Sequence, residues 1–149
     1  MTYARRALPF DLPEILEMAR AFHAESPLHS PYLFSTEKVE NLVGHAINAP
    51  EWCPVVAIDD AGLCGMALVF AMPMFFSDAL QGGDLAFYVP QTRRGSLAAR
   101  EMAEFIEQWR TRMGVVAMDI GINTGINHDR ALSFFMKCGY RPVGIVVRK

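Results

Sequence analysis

The sequence has few cysteines, no long apolar run and almost no excess charge, and each of these features disfavours a class of protein. Only three of the 149 residues are cysteine, and none forms a C-x-x-C pair, which disfavours a disulfide framework and a zinc site. No apolar run approaches the roughly 20 residues of a membrane-spanning helix, and the first residues lack the basic-then-apolar order of a signal peptide. We therefore expect a cytoplasmic protein with no metal site and no membrane partner.

The charge balance and the absence of repeats narrow the possibilities further. Fourteen Lys and Arg residues face 16 Asp and Glu, a net charge of −2, which argues against nucleic acid as a partner. The sequence contains no internal repeat, no polar linker and no G-x-x-x-x-G-K-[ST] nucleotide-binding motif. What it does contain is 52 % hydrophobic residues, enough to build a full core for one domain over 1–149.

The order of the apolar patterns predicts an α/β (α+β) domain of three layers around a mixed central sheet. After a first strand, a capping box formed by Asp11 and Glu14 predicts a helix that ends near His23. Ser35 or Thr36 caps a second helix, and a turn at 59–62 predicts an antiparallel hairpin. The remaining predicted elements are a strand over 84–89, a helix after 95, a buried strand over 115–122, a short helix over 129–137 and a last strand over 140–147.

The run 88–99 is the most informative stretch, because an apolar strand leads through a basic Gly/Ser turn into an amphipathic helix. Amide groups at a helix N-terminus have no intrahelical acceptor and lie at the positive end of the helix dipole, so they favour a bound anion. Arg93 and Arg94 add formal charge. The stretch therefore predicts a site for a phosphate or pyrophosphate group.

Two motifs and the order of elements resemble the GCN5-related N-acetyltransferase (GNAT) superfamily over nearly the whole chain. The turn motif of that family has Arg or Gln, two variable residues, Gly, one variable residue, and Gly or Ala. Arg94 and Ala99 match it, whereas Leu97 replaces the inner glycine. A second motif is matched by Asn127, Ala131, Phe134, Phe135, Gly139 and Tyr140. The resemblance implies a sheet with helices on both faces and with its fourth and fifth strands splayed apart.

The resemblance also implies acetyl-CoA as cosubstrate and direct transfer of its acetyl group to a primary amine of a small molecule, peptide or protein, without a covalent intermediate. Main-chain groups of the fourth strand would pair with pantetheine as a neighbouring strand does. Amides of the turn would hold the pyrophosphate. The implied cofactor contacts are Phe87, Tyr88, Val89, Arg93, Arg94, Gly95, Ser96, Leu97, Ala98, Ala99 and Asn127.

Direct transfer requires a polarised thioester carbonyl, a deprotonated amine, and both held within attack distance. In many family members a tyrosine also returns a proton to the departing thiolate. The backbone N–H of Val89 is the candidate for polarising the carbonyl. Asp84 is the candidate base, with the alternative that it is a turn residue after two glycines. Many family members have a tyrosine where this chain has Phe135, so Tyr140 becomes the candidate acid. Water, Cys138 or His128 are alternatives to Tyr140.

The loops that flank the implied acceptor cleft are rich in large side chains. Glu25 and His29 are candidate acceptor contacts, with solvated loop groups as the alternative. Phe34 and Phe76 predict an aromatic acceptor wall, or else they pack the loops. The apolar last strand and the aromatic loops make a homodimer possible. Because Leu97 and Phe135 depart from the family pattern, a catalytically silent CoA-binding module is the alternative function.

Overall fold

Five strands form one sheet in chain order: β1 (Tyr3–Arg6), β2 (Trp52–Asp59), β3 (Gly62–Pro73), β4 (Leu80–Tyr88) and β5 (Ala117–Met118). Neighbouring strands are antiparallel, except that β4 and β5 are parallel. The computed structural model describes residues 1–149. Its helices are α1 (Leu12–Glu25), α2 (Thr36–Asn48), α3 (Ala98–Met113) and α4 (His128–Lys137). None of these helices has both the length and the apolar character needed to cross a membrane.

Each face of the sheet carries its own apolar layer. On one face, α3 buries Met102 and Ile106 against strand residues such as Val55. On the other face, α1 and α2 bury side chains such as Phe22 against Val56 and its neighbours. Val55 and Val56 belong to different layers because successive side chains of a strand point to opposite faces. The predicted mixed sheet with helices on both faces is confirmed.

The parallel pairing of β4 with β5 is short, and the strands diverge beyond it. The ladder joins Gln81 to Ala117 and Gly82 to Met118. Two further hydrogen bonds flank the ladder, from the Val116 N–H to the Leu80 carbonyl at 2.9 Å and from the Asp119 N–H to the Gly82 carbonyl at 3.0 Å. No strand pairs with this edge of β4 from there to its end, because β5 has already ended. The predicted splay of the fourth and fifth strands is therefore present, and it leaves an open edge beside the end of β4.

An irregularity in β4 lies where the splay begins. Val69 is opposite Asp84 and Leu68 is opposite Ala86, so Leu85 has no partner in β3. An extra residue of this kind is a β-bulge, which bends the strand and re-aims the side chains around it. The bulge thus falls at the point where β4 loses contact with β5.

Two of the predicted strands are wrong. The strand expected over 115–122 is reduced to Ala117–Met118, and Val116 beside it is 72 % exposed. The segment 140–147 forms no strand, and Ile145 within it is 90 % exposed. An apolar run forms a strand only where a neighbouring strand satisfies its N–H and C=O groups. The splay removes β4 as that neighbour, and Pro142 has no N–H to donate.

Asp11 occupies the N-cap position of α1 as predicted, but its side chain forms no capping hydrogen bond because it serves another purpose. Its buried carboxylate accepts hydrogen bonds from the Leu8 N–H at 2.7 Å and from the Arg5 guanidinium at 2.7 and 3.0 Å. Burial alone would raise the pKa of Asp11, but the bonds from Arg5 and Leu8 outweigh burial and lower it. Asp11 therefore ties β1 to the segment that leads into α1, rather than capping the helix with Glu14.

Candidate functional site

The turn after β4 presents backbone N–H groups that have no partner. No hydrogen bond uses the N–H of Arg94, Gly95, Leu97 or Ala99. Gly95 adopts a left-handed conformation with φ +86°, and open space surrounds the position of an added Cβ. Helix α3 begins at Ala98, so these donors lie at its positively polarised end. Unpaired donors at a helix N-terminus suit an anion such as pyrophosphate.

Both arginines of the turn are already paired with carboxylates. Arg93 forms an ion pair with Asp59 at the end of β2, and Arg94 forms one with Glu25 at the end of α1. The Nε of Arg94 also donates to the Val89 carbonyl at 3.1 Å. Arg93 and Arg94 are predicted to contact the anion, and Glu25 is a candidate acceptor contact. In the structure, Glu25 pairs with Arg94, which ties α1 to the turn.

The two residues between Gly95 and α3 have distinct roles. The Ser96 hydroxyl accepts a hydrogen bond from the Ala98 N–H at 3.3 Å. Leu97 lies at the N-cap position of α3, where its apolar side chain provides no capping hydrogen bond, and it is 52 % exposed. Its side chain therefore stands at the surface of the turn instead of being folded into the core.

The end of β4 supplies the open strand edge that the resemblance implies. Phe87 packs in the layer of α3, with its ring centroid 5.1 Å from that of Phe135. Tyr88 packs in the opposite layer, stacked on Phe22 at 4.9 Å. The Val89 N–H, directly after the strand, takes part in no hydrogen bond. This edge therefore offers main-chain groups and one unpaired donor next to the turn.

Asp84 lies inside β4, so the alternative interpretation of Asp84 as a turn residue after two glycines is wrong. Its carboxylate accepts a hydrogen bond from the Gly121 N–H, at 2.8 Å, across the gap between the splayed strands. Burial raises the pKa of Asp84 to about 6, although the bond from Gly121 acts in the other direction. A carboxylate with this pKa is largely deprotonated at neutral pH and is a stronger base than an exposed one.

Tyr140 and Asn127 mark the two ends of α4. Burial, followed by the negative charge of Glu107, raises the pKa of Tyr140 to about 12, so its hydroxyl keeps its proton at neutral pH. The Tyr140 ring packs edge-on against Phe135 at 5.5 Å. Asn127, with φ 42°, caps α4 by accepting a hydrogen bond from the Arg130 N–H at 3.4 Å. Asn127 therefore has a local structural role, in addition to the cofactor contact expected of it.

A cavity of about 330 Å³ lies between α1, α2 and the sheet, next to the bulge in β4. His29 and Phe34 line it, so the structure brings two of the four expected acceptor residues together. Glu25 does not line it, and neither does Phe76, which is 78 % exposed and packs against Phe75 at a tilted angle in the β3–β4 connection. The remaining lining residues are mostly apolar, and they include Leu85 and Ala86 of the bulge.

Sequence reasoning missed the partners of the charged residues. Gly121 and Asp59 were not singled out, although they hold Asp84 and Arg93. The separations along the chain are 37 residues for Gly121 with Asp84 and 34 residues for Asp59 with Arg93. No local pattern records pairing over such distances. The only sequence signal for the bulge is the Gly82-Gly83 pair just before it, since glycine inside a strand often accompanies an irregularity.

This arrangement of splayed strands, bulged fourth strand and following turn defines a class of protein. The fold is that of the GCN5-related N-acetyltransferases, which confirms the resemblance read from the sequence. No family model matches the sequence, and no curated protein sequence matches it significantly. The comparison with known proteins therefore rests on solved structures.

Three solved structures illustrate this likeness. An aminoglycoside acetyltransferase from an uncultured soil metagenomic sample superposes with a TM-score of 0.75 at 17 % identity, over 99 % of this chain and 93 % of that one. Glucosamine-6-phosphate N-acetyltransferase from Arabidopsis thaliana gives 0.70 at 14 % identity, over 100 % and 97 %. A transcriptional regulator from Bacillus halodurans C-125 gives 0.79 at 14 % identity, over 100 % and 99 %. The TM-scores establish the shared fold. At identities this low, the activity has to be argued from the residues of the site.

Proposed function

We propose that this protein is an acetyl-CoA-dependent N-acetyltransferase that moves an acetyl group directly to a primary amine of a small molecule, peptide or protein. The observation that carries the proposal is the set of four unpaired N–H groups at the turn, next to the open edge of β4. A cofactor with a pyrophosphate and an amide-bearing arm matches both features. The neighbours named as aminoglycoside and glucosamine-6-phosphate acetyltransferases support an amine as acceptor.

The residues of the site fit acetyl-CoA in two places. Within the run from Arg94 through Ala99, the four unpaired amides would hold the pyrophosphate, with the Ser96 hydroxyl beside them. The main chain of Phe87, Tyr88 and Val89 would pair with the amides of the pantetheine arm. When bound, acetyl-CoA supplies an acetyl thioester, which an amine attacks without any help from a protein nucleophile.

This chain has a candidate residue for each chemical requirement of the transfer. The Val89 N–H would stabilise the negative charge that develops on the thioester oxygen. Asp84 would remove a proton from the ammonium form of the acceptor. As the C–N bond forms and the C–S bond breaks, the Tyr140 hydroxyl would return a proton to the sulfur. A thiol has a pKa of about 8.5, so the thiolate needs little assistance in leaving.

A catalytically silent CoA-binding module is the second candidate function. Phe135 cannot donate a proton, and both arginines of the turn are paired with carboxylates. The two functions differ in one measurement: free CoA released from acetyl-CoA in the presence of a panel of amines. Chromatography is the appropriate readout, because the exposed Cys138 thiol would itself react with a thiol reagent. Tight CoA binding with no acceptor-dependent release across the panel would favour the silent module.

The phosphate assignment is tested by two matched glycine variants. Gly95 and Gly114 lie at opposite ends of α3, both have positive φ (+86° and +71°), and neither has an atom within 4 Å of an added Cβ. Either change to alanine strains the backbone by about 1–2 kcal/mol. Gly95→Ala should weaken CoA binding by tenfold or more, whereas Gly114→Ala should leave it unchanged, as measured by calorimetry. Equal affinities in the two variants would remove the turn as the pyrophosphate site.

The protein is also proposed to form a homodimer through its apolar segment 142–147. Val143, Ile145, Val146 and Val147 are all exposed there, although they are large and apolar. Monomeric proteins rarely leave such a cluster open to water.

A further inference from the structure

The space in front of Gly121 is bordered by two oxygen acceptors. A Cβ added to Gly121 would stand 3.1 Å from the Asn123 Oδ1 and 3.5 Å from the Asp84 Oδ1, and these two side chains supply the three nearest atoms outside residues 120–122. The φ of Gly121 is not positive, so the backbone at this position does not itself require glycine. The absence of a side chain therefore keeps a small space open between an amide and a carboxylate.

Both acceptors have unused capacity for hydrogen bonds. The Asn123 side chain takes part in no hydrogen bond, and the Asp84 carboxylate accepts one, from the Gly121 N–H at 2.8 Å. No ion pair neutralises Asp84. An ionised carboxylate has about four lone-pair positions for hydrogen bonds, and an amide oxygen has two. The two groups therefore lack a donor that both could share, and a cation with several N–H groups is such a donor.

The distances around this point suit a nitrogen atom better than a carbon atom. An N–H···O hydrogen bond spans roughly 2.7–3.2 Å between its heavy atoms, so a nitrogen a few tenths of an ångström from this point reaches both oxygens. Contacts of a carbon with an oxygen are longer, about 3.3–3.6 Å. Gly121 and Asn123 are exposed and Asp84 is half-buried, so a ligand reaches the point from solvent.

We infer that this point receives the ammonium group of the acceptor and that Asn123 contacts the ammonium together with Asp84. The inference rests on the proposed acetyltransferase function, since it adds a substrate contact to that site. The ammonium donates one N–H to the Asp84 carboxylate and one to the Asn123 Oδ1. When the first proton moves to Asp84, the N–H on Asn123 remains, and it holds the neutral amine while the nitrogen lone pair attacks the thioester carbon.

The kinetic test measures acetyl transfer to ethylamine, a probe that is little more than the amine itself. Asn123→Leu removes the oxygen at similar size and should raise KM for ethylamine by about tenfold or more, the effect of losing one hydrogen bond from a charged donor. Gly121→Ala places a methyl group at the point and should raise KM as well. CoA affinity should not change in either variant. The matched controls, which should leave KM unchanged, are Asn41→Leu and Gly44→Ala, since Asn41 is exposed and a Cβ added to Gly44 meets no atom within 4 Å.

Asn123→Asp distinguishes a lost hydrogen bond from an altered loop. The substitution keeps an oxygen acceptor at the same place, so KM for ethylamine should equal that of wild type or fall below it, in contrast to Asn123→Leu. An unchanged KM in both Asn123→Leu and Gly121→Ala would overturn the inference. A KM as high in Asn123→Asp as in Asn123→Leu would overturn it too.

A binding measurement without acetyl transfer separates this inference from the proposed function. In isotope-labelled protein, the NMR signal of the Asn123 side-chain amide, assigned by its loss in Asn123→Leu, should shift to saturation as ethylammonium is added. Tetramethylammonium, a cation without N–H groups, should not shift it. If no amine is acetylated, the proposed function fails, and this N–H-dependent shift still identifies the ammonium site. Acetyl transfer to ethylamine without the shift, or equal shifts with both cations, would overturn the inference alone.

Discussion

At the scale of single residues, Asp84 and Asp11 carry the same side chain and have opposite pKa shifts. Asp84 is half-buried with one backbone donor, and burial raises its pKa to about 6. Asp11 is fully buried but receives hydrogen bonds from Arg5 and Leu8, which lower its pKa below the usual value. The charged and backbone donors around Asp11 outweigh its burial, whereas the single backbone donor to Asp84 does not. Asp84 is thus suited to accept a proton, and Asp11 to hold the fold together.

The activity of the site should follow the protonation of Asp84. If Asp84 is the base, acetyl transfer in wild type rises with pH through about 6 and then levels off. Asp84→Asn should remove that rise and reduce kcat/KM by about 10²-fold or more. Asp119→Asn is the control, since Asp119 is exposed and accepts only a long hydrogen bond from Gln81, at 3.4 Å. Initial rates of CoA release between pH 5 and 9 give the profiles; an unchanged profile in Asp84→Asn would remove Asp84 from the role of base.

The two aspartates should also affect stability with opposite dependence on pH. The folded pKa of Asp84 is raised, so wild type loses stability as pH rises through about 6, and Asp84→Asn should be more stable at pH 8 by roughly 2–3 kcal/mol. The pKa of Asp11 is lowered in the folded protein. Asp11 therefore adds to the free energy of unfolding at pH values above the ordinary pKa of an aspartate, and this stabilisation is lost in acid. Asp11→Asn should therefore be less stable at pH 7 by about 2–3 kcal/mol.

Urea denaturation at pH 4, 6 and 8 measures both differences. At pH 4 the advantage of Asp84→Asn should have nearly disappeared. A constant difference at all three pH values would show that loss of shape or of hydrogen bonds, rather than titration, determines the effect of the substitution.

At the scale of elements, the ion pair between Glu25 and Arg94 connects the end of α1 to the turn before α3. If the Arg94 guanidinium assists in binding pyrophosphate, Glu25 competes with the cofactor for it. Glu25→Gln should then raise CoA affinity by roughly three- to tenfold, because the substitution removes the competing charge and keeps the shape. Glu17→Gln, an exposed site on the same helix, is the control. Calorimetric titration with CoA measures both variants, and lower affinity in Glu25→Gln would mean that the pair holds Arg94 in place for the cofactor.

The helices were predictable from the sequence because their apolar periodicity and their end signals are local. Met102, Ile106 and Trp109 recur at helical spacing, and all three are buried. The segment 140–147 shows the opposite case, since its apolar pattern is clear and yet no strand forms. Whether a segment pairs depends on a neighbour distant in the sequence.

The candidate site likewise has one part that local sequence predicts and one part that depends on residues distant in the sequence. The turn at 93–99 could be located from local sequence because a strand end, a glycine and a helix start follow one another there. The pairing of Arg94 with Glu25 joins residues 69 positions apart and leaves no local trace.

At the scale of the whole molecule, the apolar segment 142–147 is the surface that most needs a partner. Ile145 is 90 % exposed and Val147 87 %. If this segment forms the dimer interface, the protein should sediment as a dimer and Ile145→Lys should sediment as a monomer with unchanged thermal stability. Phe76→Lys, at the other exposed apolar cluster, is the control. A monomeric wild type at high protein concentration would contradict the proposal.

The pairing of both turn arginines with carboxylates has a consequence for how the cofactor would be held. Arg93 with Asp59 and Arg94 with Glu25 each have a net charge close to zero, so the proposed grip on pyrophosphate comes chiefly from neutral backbone amides. Ionic strength screens attraction between net charges over distances beyond the Debye length but acts less on hydrogen bonds between groups in direct contact. The dissociation constant for CoA should therefore change little between low and high salt, whereas in Glu25→Gln, with Arg94 unpaired, it should increase as salt is added.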